Sequence, residues 1–362
     1  MFFYFTCFLI LLICSFLEVI SNNKRYSQHT FLFLVLICYA LSFLRWETGT
    51  DWNTYYEMYT WIKSPWNNVF STGMEPGFAF INNLGKFVFN SYTGVLFLFS
   101  TIIYACLGRA YTALSRYPIT SLLISFCILS FAHMLYVRQN VAVVILCWSV
   151  YYIQKKNFKH FFFCVFIASL FHRTSWIFLI SYPFFFKEYS LKFYISAILS
   201  ALIFGTIISK IILVFIGNLG LGVISTKISG YMELGSEDNS TALSTTTILI
   251  KGFINRGFIL ALIFYCKFKL KYNSSFFTGL VNIYILGTVL YFITLPLSVS
   301  LARIAVYMDS LQVILIPYII YLQKTLYNRI LFFTLIIIYY FLRFYSSIIT
   351  FESSYIPFKT IL

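Results

Sequence analysis

Long uninterrupted apolar runs constrain this chain more than any other feature. They begin in the first residues, MFFYFTCFLILLICSFLEVI, and recur between short polar segments to the end of the sequence. An α-helix needs about 20 apolar residues to cross a bilayer, whose hydrocarbon core is about 30 Å thick. A membrane β-barrel would instead show alternating segments of about ten residues, and these runs are continuously apolar. We therefore predict an all-α, polytopic integral membrane protein.

The charge content agrees with this class. Only 10% of the 362 residues are charged and 60% are hydrophobic, whereas a soluble domain carries about 25% charged residues. A soluble enzyme, a disordered protein and a nucleic-acid-binding domain are therefore excluded, although the net charge is +15. The eight cysteines stand singly in apolar stretches, and we interpret them as small apolar residues rather than metal ligands.

We predict about 12 (11–13) transmembrane helices, some short or broken, because 12 crossings leave about 30 residues for each span and its connection. The segment 75–89 is short and polar, and it predicts a periplasmic interfacial or re-entrant helix. The segments 160–171 and 175–186 are too short to span, which indicates half-helices that meet at FHRTS. The predicted spans are residues 1–20, 28–44, 92–108, 118–134, 139–154, 160–171, 175–186, 193–216, 249–266, 276–296, 301–322 and 329–348.

The spans are expected to form a single membrane domain over residues 1–362, with outer loops 45–91 and 217–248. Alternate loops hold slightly more than half of the lysines and arginines, and the positive-inside rule places those loops in the cytoplasm. Both termini then lie outside. Loop 217–248 is rich in Gly, Ser and Thr, which suits either a mobile lid or a plain connector.

Five arginines lie in or beside apolar segments near the predicted outer face. A charge inside the bilayer costs a few kcal/mol, so each of them needs a partner or a wet cavity. Pairing with outer-side acids is one interpretation, and an anion site is the other. Arginine binds phosphate oxygens through a rigid fork, and a diphosphate-linked lipid in the outer leaflet would supply them. The five are Arg45, Arg138, Arg173, Arg256 and Arg303.

The densest polar and aromatic stretch is RWETGTDWNTYYEMY, residues 45–59. If it is helical from its middle, Asp51, Tyr55 and Tyr59 share one face. Carboxylates bind sugar hydroxyls and aromatic rings stack on sugar faces, so this stretch favours a sugar site. An aromatic interfacial belt is the alternative for the rings, but it leaves Glu47 and Asp51 unexplained. No cofactor or metal is predicted, although carboxylates that hold a divalent ion stay an alternative.

Two further motifs carry polar groups within apolar sequence. His172 stands next to Arg173 at the predicted half-helix junction, where a hydrogen-bonded structural histidine is the alternative. In SLARIAVYMDS, Arg303, Tyr307 and Ser310 share a helical face, so Tyr307 is expected to hold Arg303 in position. Arg256 lies about 10 Å inside its span, at about 1.5 Å per residue, a depth that indicates a cavity.

Six motifs in order give the chain a family resemblance. RWETGTDWNTYY, MEPGFAFINNLGKF, YVRQNVAVVI, FHRTSWIFL, LARIAVY and YIPFK resemble the EpsG family, a Wzy-like group of oligosaccharide repeat-unit polymerases. The resemblance implies a multi-pass protein of the bacterial inner membrane, similar to C-type membrane glycosyltransferases, with its active site facing the periplasm. The sequence departs from the family pattern at Trp46-Glu47-Thr48, where a small or apolar residue is expected before Gly49.

The resemblance also implies a reaction. A growing glycan leaves its undecaprenyl diphosphate and joins a fresh lipid-linked repeat unit of an O-antigen, a capsule or an exopolysaccharide. Arginines stabilise the diphosphate leaving group, and an acid or histidine accepts the hydroxyl proton. The expected proton acceptors, in order, are Asp51, Glu75 and His172. The expected substrate-binding residues are Arg138, Arg173, Arg303 and Arg256, followed by Arg45, Glu47 and Tyr307.

The implied partners are the lipid-linked oligosaccharide, membrane lipid, a chain-length regulator protein and a flippase. Three other functions stay open. A flippase of lipid-linked oligosaccharide would need a central cavity reachable from both faces and often shows repeats. A membrane O-acyltransferase would need a histidine with access to a cytoplasmic acyl donor, and an O-antigen ligase would differ only in its acceptor. The order of the motifs favours the polymerase.

Overall fold

The structure, a computed structural model, describes residues 1–21, 23–62, 74–130, 137–218 and 245–361 and is helical almost throughout. The predicted all-α class is confirmed. The helices group into two compact units, Met1–Trp176 with Gln312–Leu362, and Ile177–Leu311. The prediction of a single membrane domain stays a prediction, and most of the predicted loop 217–248 falls outside the described residues.

The elements follow one another along the chain with short connections. The first half contains α1 (Phe2–Ser21), α2 (Lys24–Leu44), β1 (Arg45–Trp46), α3 (Trp52–Thr60), α4 (Pro76–Phe89), α5 (Tyr92–Leu114), α6 (Pro118–Ser125), a π-helical turn (Phe126–Ser130), α7 (Val137–Gln154), α8 (Phe158–Phe171) and a 3₁₀ segment (Arg173–Ile180). The second half contains α9 (Ser181–Phe185), α10 (Leu191–Asn218), α11 (Thr245–Phe264), a π-helical turn (Tyr265–Lys269), α12 (Ser275–Thr294), α13 (Val299–Ala302), a 3₁₀ turn (Arg303–Ala305), α14 (Val306–Asp309), α15 (Gln312–Tyr321), α16 (Leu326–Thr350), α17 (Glu352–Tyr355) and β2 (Lys359–Thr360).

Local sequence explains where these helices begin. The Asn23 side chain accepts hydrogen bonds from the backbone N–H groups of Arg25 and Tyr26 and caps α2. Ser91 caps α5 in the same manner. Such side chains satisfy N–H groups that have no partner within the helix. Pro76 and Pro118 occupy the first positions of α4 and α6, where a missing N–H costs nothing.

One end of the first unit brings distant parts of the chain together. β1 pairs antiparallel with β2, so Arg45 lies opposite Thr360. The Tyr4 hydroxyl donates a 2.6 Å hydrogen bond to the carbonyl of Tyr355. The start of α1 and the ends of α2 and α16 therefore meet at this end, which we call the ladder end. The described residues at both ends of the chain lie there, and the placement of both termini outside the membrane stays a prediction.

A buried carboxylate ties together the opposite end of the first unit, which we call the turn end. Glu18, in the last turn of α1, is 1% exposed. It accepts hydrogen bonds from the Ser27 hydroxyl in α2 and from the backbone N–H groups of Ile119 (3.1 Å) and Thr120 (2.9 Å) at the start of α6. The positive end of the α6 helix dipole stabilises this carboxylate. Through these hydrogen bonds, Glu18 of α1 connects α2 and α6.

The second unit is built on the buried helix α12. The Asn282 side chain accepts a 2.5 Å hydrogen bond from the Tyr194 hydroxyl in α10 and donates to the carbonyls of Phe184 (2.8 Å) and Lys187 (2.7 Å). Gly205 of α10 packs so closely on α12 that an added Cβ would lie 2.5 Å from the Phe292 carbonyl oxygen. A small residue at this position lets the two helices approach.

Within the described residues, eight helices are long and apolar enough to cross a membrane, and two shorter apolar helices accompany them. The predicted count of about 12 is therefore not established. The segment 118–134 ends in residues outside the description. Helix α8 has 14 residues, a length of about 21 Å at 1.5 Å per residue, which is too short to span. The predicted helix over 75–89 is confirmed as α4, and its interfacial position stays a prediction.

The contact of Gly205 gives a test of the second unit. We expect Gly205→Ala to lower the free energy of unfolding by about 1–3 kcal/mol, because the methyl group meets backbone that cannot rotate away. Gly257→Ala in α11 is the matched control, since an added Cβ there meets nothing within 4 Å. Thermal unfolding in detergent measures both, and equal melting temperatures would contradict the packing.

Candidate active site

An ion pair at the ladder end joins two of the predicted site residues. Glu75 is the residue directly before α4, and Arg138 lies in the first turn of α7. The Arg138 Nη1 atom is 3.0 Å from Glu75 Oε2, and the two side chains are 32% and 15% exposed. The guanidinium is therefore held by a carboxylate while part of it stays accessible. The sequence predicted both residues for the site and left pairing of the outer arginines with outer-side acids open, but it did not indicate which acid pairs with Arg138.

Two aromatic rings hold the same guanidinium from α3 and α4. The Arg138 guanidinium carbon lies 5.6 Å from the ring centre of Tyr55 and 5.4 Å from that of Phe78. Its Nε atom lies 3.5 Å from the Tyr55 hydroxyl. Burial raises the pKa of Tyr55, and the charge of Arg138 opposes this rise. Tyr55 therefore remains a neutral phenol, and cation–π attraction adds to the ion pair.

Asp51 is placed beside this cluster by helix α3. It is the residue directly before the helix, and its carbonyl accepts a 3.0 Å hydrogen bond from the N–H of Tyr55. The predicted helix from the middle of this stretch is thus confirmed, with Asp51, Tyr55 and Tyr59 spaced along one face. Asp51 is half-buried, and its charge acts on the Tyr55 hydroxyl. The end of α3 is fixed by Lys86, whose Nζ donates to the Tyr59 carbonyl at 2.8 Å.

His172 and Arg173 follow α8, whose last turn packs on the first turn of α4. An added Cβ on Gly77 would lie 2.9 Å from the Leu170 carbonyl oxygen, and Gly77 is two residues after Glu75. The His172 Nδ1 atom is 2.8 Å from the Thr174 hydroxyl, and the imidazole is half-buried. Arg173 is exposed. The structure therefore brings both residues to the ladder end, where Arg138 lies.

Arg45 lies inside the ladder end rather than on its surface. It is 3% exposed, and its Nη1 donates a 3.2 Å hydrogen bond to the Thr48 carbonyl. Burial lowers the pKa of Arg45. The electrostatic effect of nearby tyrosines, which is largest for Tyr92, opposes this decrease. The sequence predicted that this guanidinium contacts substrate, which stays a prediction, and its burial suits a positioning role.

Glu47 forms an ion pair with Lys359, with 2.7 Å between carboxylate and Nζ and both side chains 49% exposed. Two of the sequence motifs, RWETGTDWNTYY and YIPFK, are therefore in direct contact. Glu47 has a φ of 42° and Gly49 a φ of 128°, and Gly49 donates a 2.9 Å hydrogen bond to the Ser354 carbonyl. Glycine tolerates this backbone conformation, so the turn after β1 can fold back onto the end of the chain.

The aromatic residues of this stretch pack mainly on one another. The rings of Trp52 and Tyr56 stack 4.9 Å apart, and Trp46 lies 5.0 Å from Trp52. Tyr92 at the start of α5 packs on Tyr56 and Tyr59 at 5.3 Å and 5.5 Å. Trp52 and Tyr92 are buried. These two rings act in packing, so a sugar can stack only on the more exposed rings of the cluster.

The second unit contains an ion pair that the sequence analysis missed. Arg256 in α11 pairs with Asp309 in α14, and the two side chains are 12% and 14% exposed. The Arg256 guanidinium lies 3.4 Å from the ring centre of Tyr291. The depth of Arg256 in its span predicted a cavity, but its guanidinium instead forms an ion pair with the Asp309 carboxylate. Asp309 could have been found from the same signal, because an acid within an apolar span is as costly as an arginine.

Arg303 and Tyr307 also belong to the second unit. The predicted span 301–322 is interrupted, with a 3₁₀ turn at Arg303 and a break after Asp309. Arg303 is exposed, whereas Tyr307 is fully buried. The prediction that Arg303 and Tyr307 share a face assumed a continuous α-helix. The role of Tyr307 in holding Arg303 therefore stays a prediction. In the first unit, Arg343, which the sequence motifs did not indicate, lies with its Nη1 3.4 Å from the Gln312 side-chain oxygen.

No group of three or more His, Cys, Asp or Glu side chains that could hold a metal ion occurs in the part of the chain that the structure describes. The sequence model of the EpsG family matches residues 29–360, nearly the whole chain. No curated protein and no solved structure shows a significant match. The resemblance read from the six motifs is therefore confirmed at the level of the family.

The Arg256–Asp309 pair gives a test of the second unit. We expect Asp309→Asn to lower the free energy of unfolding by about 3 kcal/mol, because it leaves a largely buried guanidinium without its counter-charge. Adding Arg256→Gln should restore part of this loss. Lys251→Gln, which removes an exposed charge from the same helix, is the control. Arg256→Gln alone completes the double-mutant cycle. Unfolding in detergent measures the wild type, the two single variants, the double variant and the control, and strictly additive effects would contradict the pairing.

Proposed function

The chain belongs to the EpsG family, and on that premise we propose that it is a glycosyltransferase that polymerises undecaprenyl-diphosphate-linked oligosaccharide repeat units. The family and the eight apolar helices support a multi-pass membrane protein related to exopolysaccharide. The polymerase would use this lipid-linked substrate at a site on the periplasmic face of the inner membrane. The product would be an O-antigen, a capsule or an exopolysaccharide.

The observation that carries this proposal is the partly exposed guanidinium of Arg138. Its Nη1 is directed to Glu75 and its Nε to Tyr55, and arginine has five N–H donors in a planar fork. The remaining donors on Nη2 can bind a phosphate oxygen. When a glycan leaves its lipid diphosphate, negative charge develops on those oxygens. A cation already held in place stabilises this charge without reorganising during the reaction.

The two acids near Arg138 suit different roles. Glu75 is engaged by the guanidinium, so we assign it the positioning of Arg138. We assign Asp51 to the acceptor sugar, whose hydroxyl proton it receives as the new bond forms. The hydroxyl oxygen bonds to the anomeric carbon, the bond from that carbon to the phosphate oxygen breaks, and the electron pair leaves with the diphosphate. Direct displacement of this kind inverts the anomeric centre.

The other predicted residues are assigned by their positions. Arg173 is exposed at the ladder end and is proposed as a second diphosphate contact, with His172 as a hydrogen-bonding neighbour. Arg45 is buried, and we assign it the support of the β1–β2 ladder. Arg303 stays a proposed contact in the second unit. The chain-length regulator and the flippase stay proposed partners, since a polymerase needs its substrate delivered to the outer leaflet.

Arg138→Ala tests the proposal in cells. We expect polymer to be lost, with the rate of linkage lowered by about 10²–10³-fold, as for removal of one donor that stabilises developing charge. Single repeat units should still reach the surface. Arg138→Lys should retain partial activity, because it keeps the charge but not the fork. Lys155→Ala, an exposed residue after α7, is the matched control.

Surface glycan resolved by length on a gel measures the outcome, with the amount of each variant in the membrane determined in parallel. Loss of single repeat units together with polymer would contradict the proposal and favour a flippase. Normal polymer made by Arg138→Ala at normal protein levels would remove Arg138 from the site.

A further inference from the structure

A polar cavity of about 400 Å³ lies at the turn end of the first unit. Its lining includes Lys24 at the start of α2 and Arg116 and Tyr117 between α5 and α6. Helix α2 has 21 residues between this cavity and Arg45, a distance of about 31 Å at 1.5 Å per residue. The cavity is therefore separate from the candidate active site, and its role does not rest on the proposed function.

The charged groups of the lining favour an anion. Lys24 and Arg116 contribute two positive charges, and Glu18 is the one acid among the described lining residues. Glu18 already accepts hydrogen bonds from Ser27, from the backbone of Ile119 and from both the backbone and the hydroxyl of Thr120. Its carboxylate is committed to the start of α6, so the cavity keeps a net positive character.

Arg116 is held in place before any ligand binds. Its guanidinium carbon lies 5.3 Å from the ring centre of Tyr318 and 4.9 Å from that of Tyr321. Stacking on aromatic rings fixes the plane of a guanidinium and leaves its edge for an anion. Such preorganisation reduces the conformational entropy lost on binding.

A buried hydroxyl in the lining lacks a hydrogen-bond partner. Tyr117 is 2% exposed, and its hydroxyl has no partner among the described residues. Burial raises the pKa of Tyr117 and the charge of Arg329 opposes this rise, so the phenol remains a donor. Buried hydroxyls are normally paired. The hydroxyl is closed off from solvent, so a ligand oxygen in the cavity would reach it after a small shift of the lining side chains.

We propose that this cavity binds a phosphate-bearing anion, supplied either by a phospholipid headgroup or by a free phosphate ester. Two cations and a phenolic donor match the several acceptor oxygens of a phosphate. The cavity lies at the end of helices long enough to cross a membrane, where basic pockets between helices commonly receive headgroups.

The test uses the purified full chain in neutral detergent. The lipid probe is phosphatidylglycerol, and diacylglycerol is its phosphate-free control. The free phosphate ester is glycerol 3-phosphate, and chloride at equal ionic strength is its control. Melting temperature and native mass spectrometry report binding. We expect phosphatidylglycerol or glycerol 3-phosphate to raise the melting temperature and diacylglycerol and chloride not to do so. Binding of the lipid alone identifies the headgroup as the source, and equal binding of both identifies a free phosphate.

Two variants locate the binding. Arg116→Gln should raise the titration midpoint about tenfold, the scale of one charge-assisted hydrogen bond. Tyr117→Phe should weaken binding severalfold without lowering the melting temperature of the unliganded protein, since it removes only an unpartnered hydroxyl. Lys155→Gln, an exposed charge elsewhere in the same unit, should change nothing.

The proposal is overturned if no phosphate probe binds, or if Arg116→Gln and Tyr117→Phe both bind like Lys155→Gln. It is also overturned if an acidic peptide binds at this cavity and no phosphate probe displaces it. The latter result would identify the occupant as a protein segment.

Discussion

The cost of holding charge away from water governs this structure. A single charge in an apolar medium must find a partner, several hydrogen bonds or a polarisable ring. The chain uses each solution. Glu18 is satisfied by hydrogen bonds from two other helices, Arg256 by Asp309 and a tyrosine ring, and Arg138 by Glu75 and two rings. These contacts fix how helices of nearly uniform apolar composition are arranged within each unit.

The three charged groups Glu18, Arg256 and Arg138 differ in how much of each side chain stays accessible to solvent. Glu18 is almost fully enclosed and accepts from four donors, so it acts as a structural link. The side chains of Arg256 and Asp309 are mostly enclosed as well. Arg138 retains about one third of its exposure, and it lies near Asp51 and at the end of the unit that contains His172. This combination of support and access separates a candidate site from a structural ion pair, and it is the reason that the proposed chemistry centres on Arg138.

The helical class and the position of α3 could be predicted from the sequence, because helix length, apolar content and the residues that share a helical face depend on local patterns. The polar motifs were also identified, since a charge in an apolar run is visible without a structure. Their pairing could not be predicted. The Glu47–Lys359 contact joins residues 312 positions apart, and Arg256 and Asp309 lie 53 positions apart in separate helices. Contacts between residues this far apart in the sequence depend on the tertiary fold, which a local periodic pattern does not record.

The central claim is most directly tested by reconstitution. The purified chain in nanodiscs would receive a synthetic undecaprenyl-diphosphate repeat unit, and both the glycan products and the released undecaprenyl diphosphate would be quantified. The account predicts a ladder spaced by one repeat unit, with one undecaprenyl diphosphate released for each new linkage, and loss of both products when Asp51 is replaced by Asn. Transfer of labelled repeat units across liposomes with no ladder and no released diphosphate would contradict it.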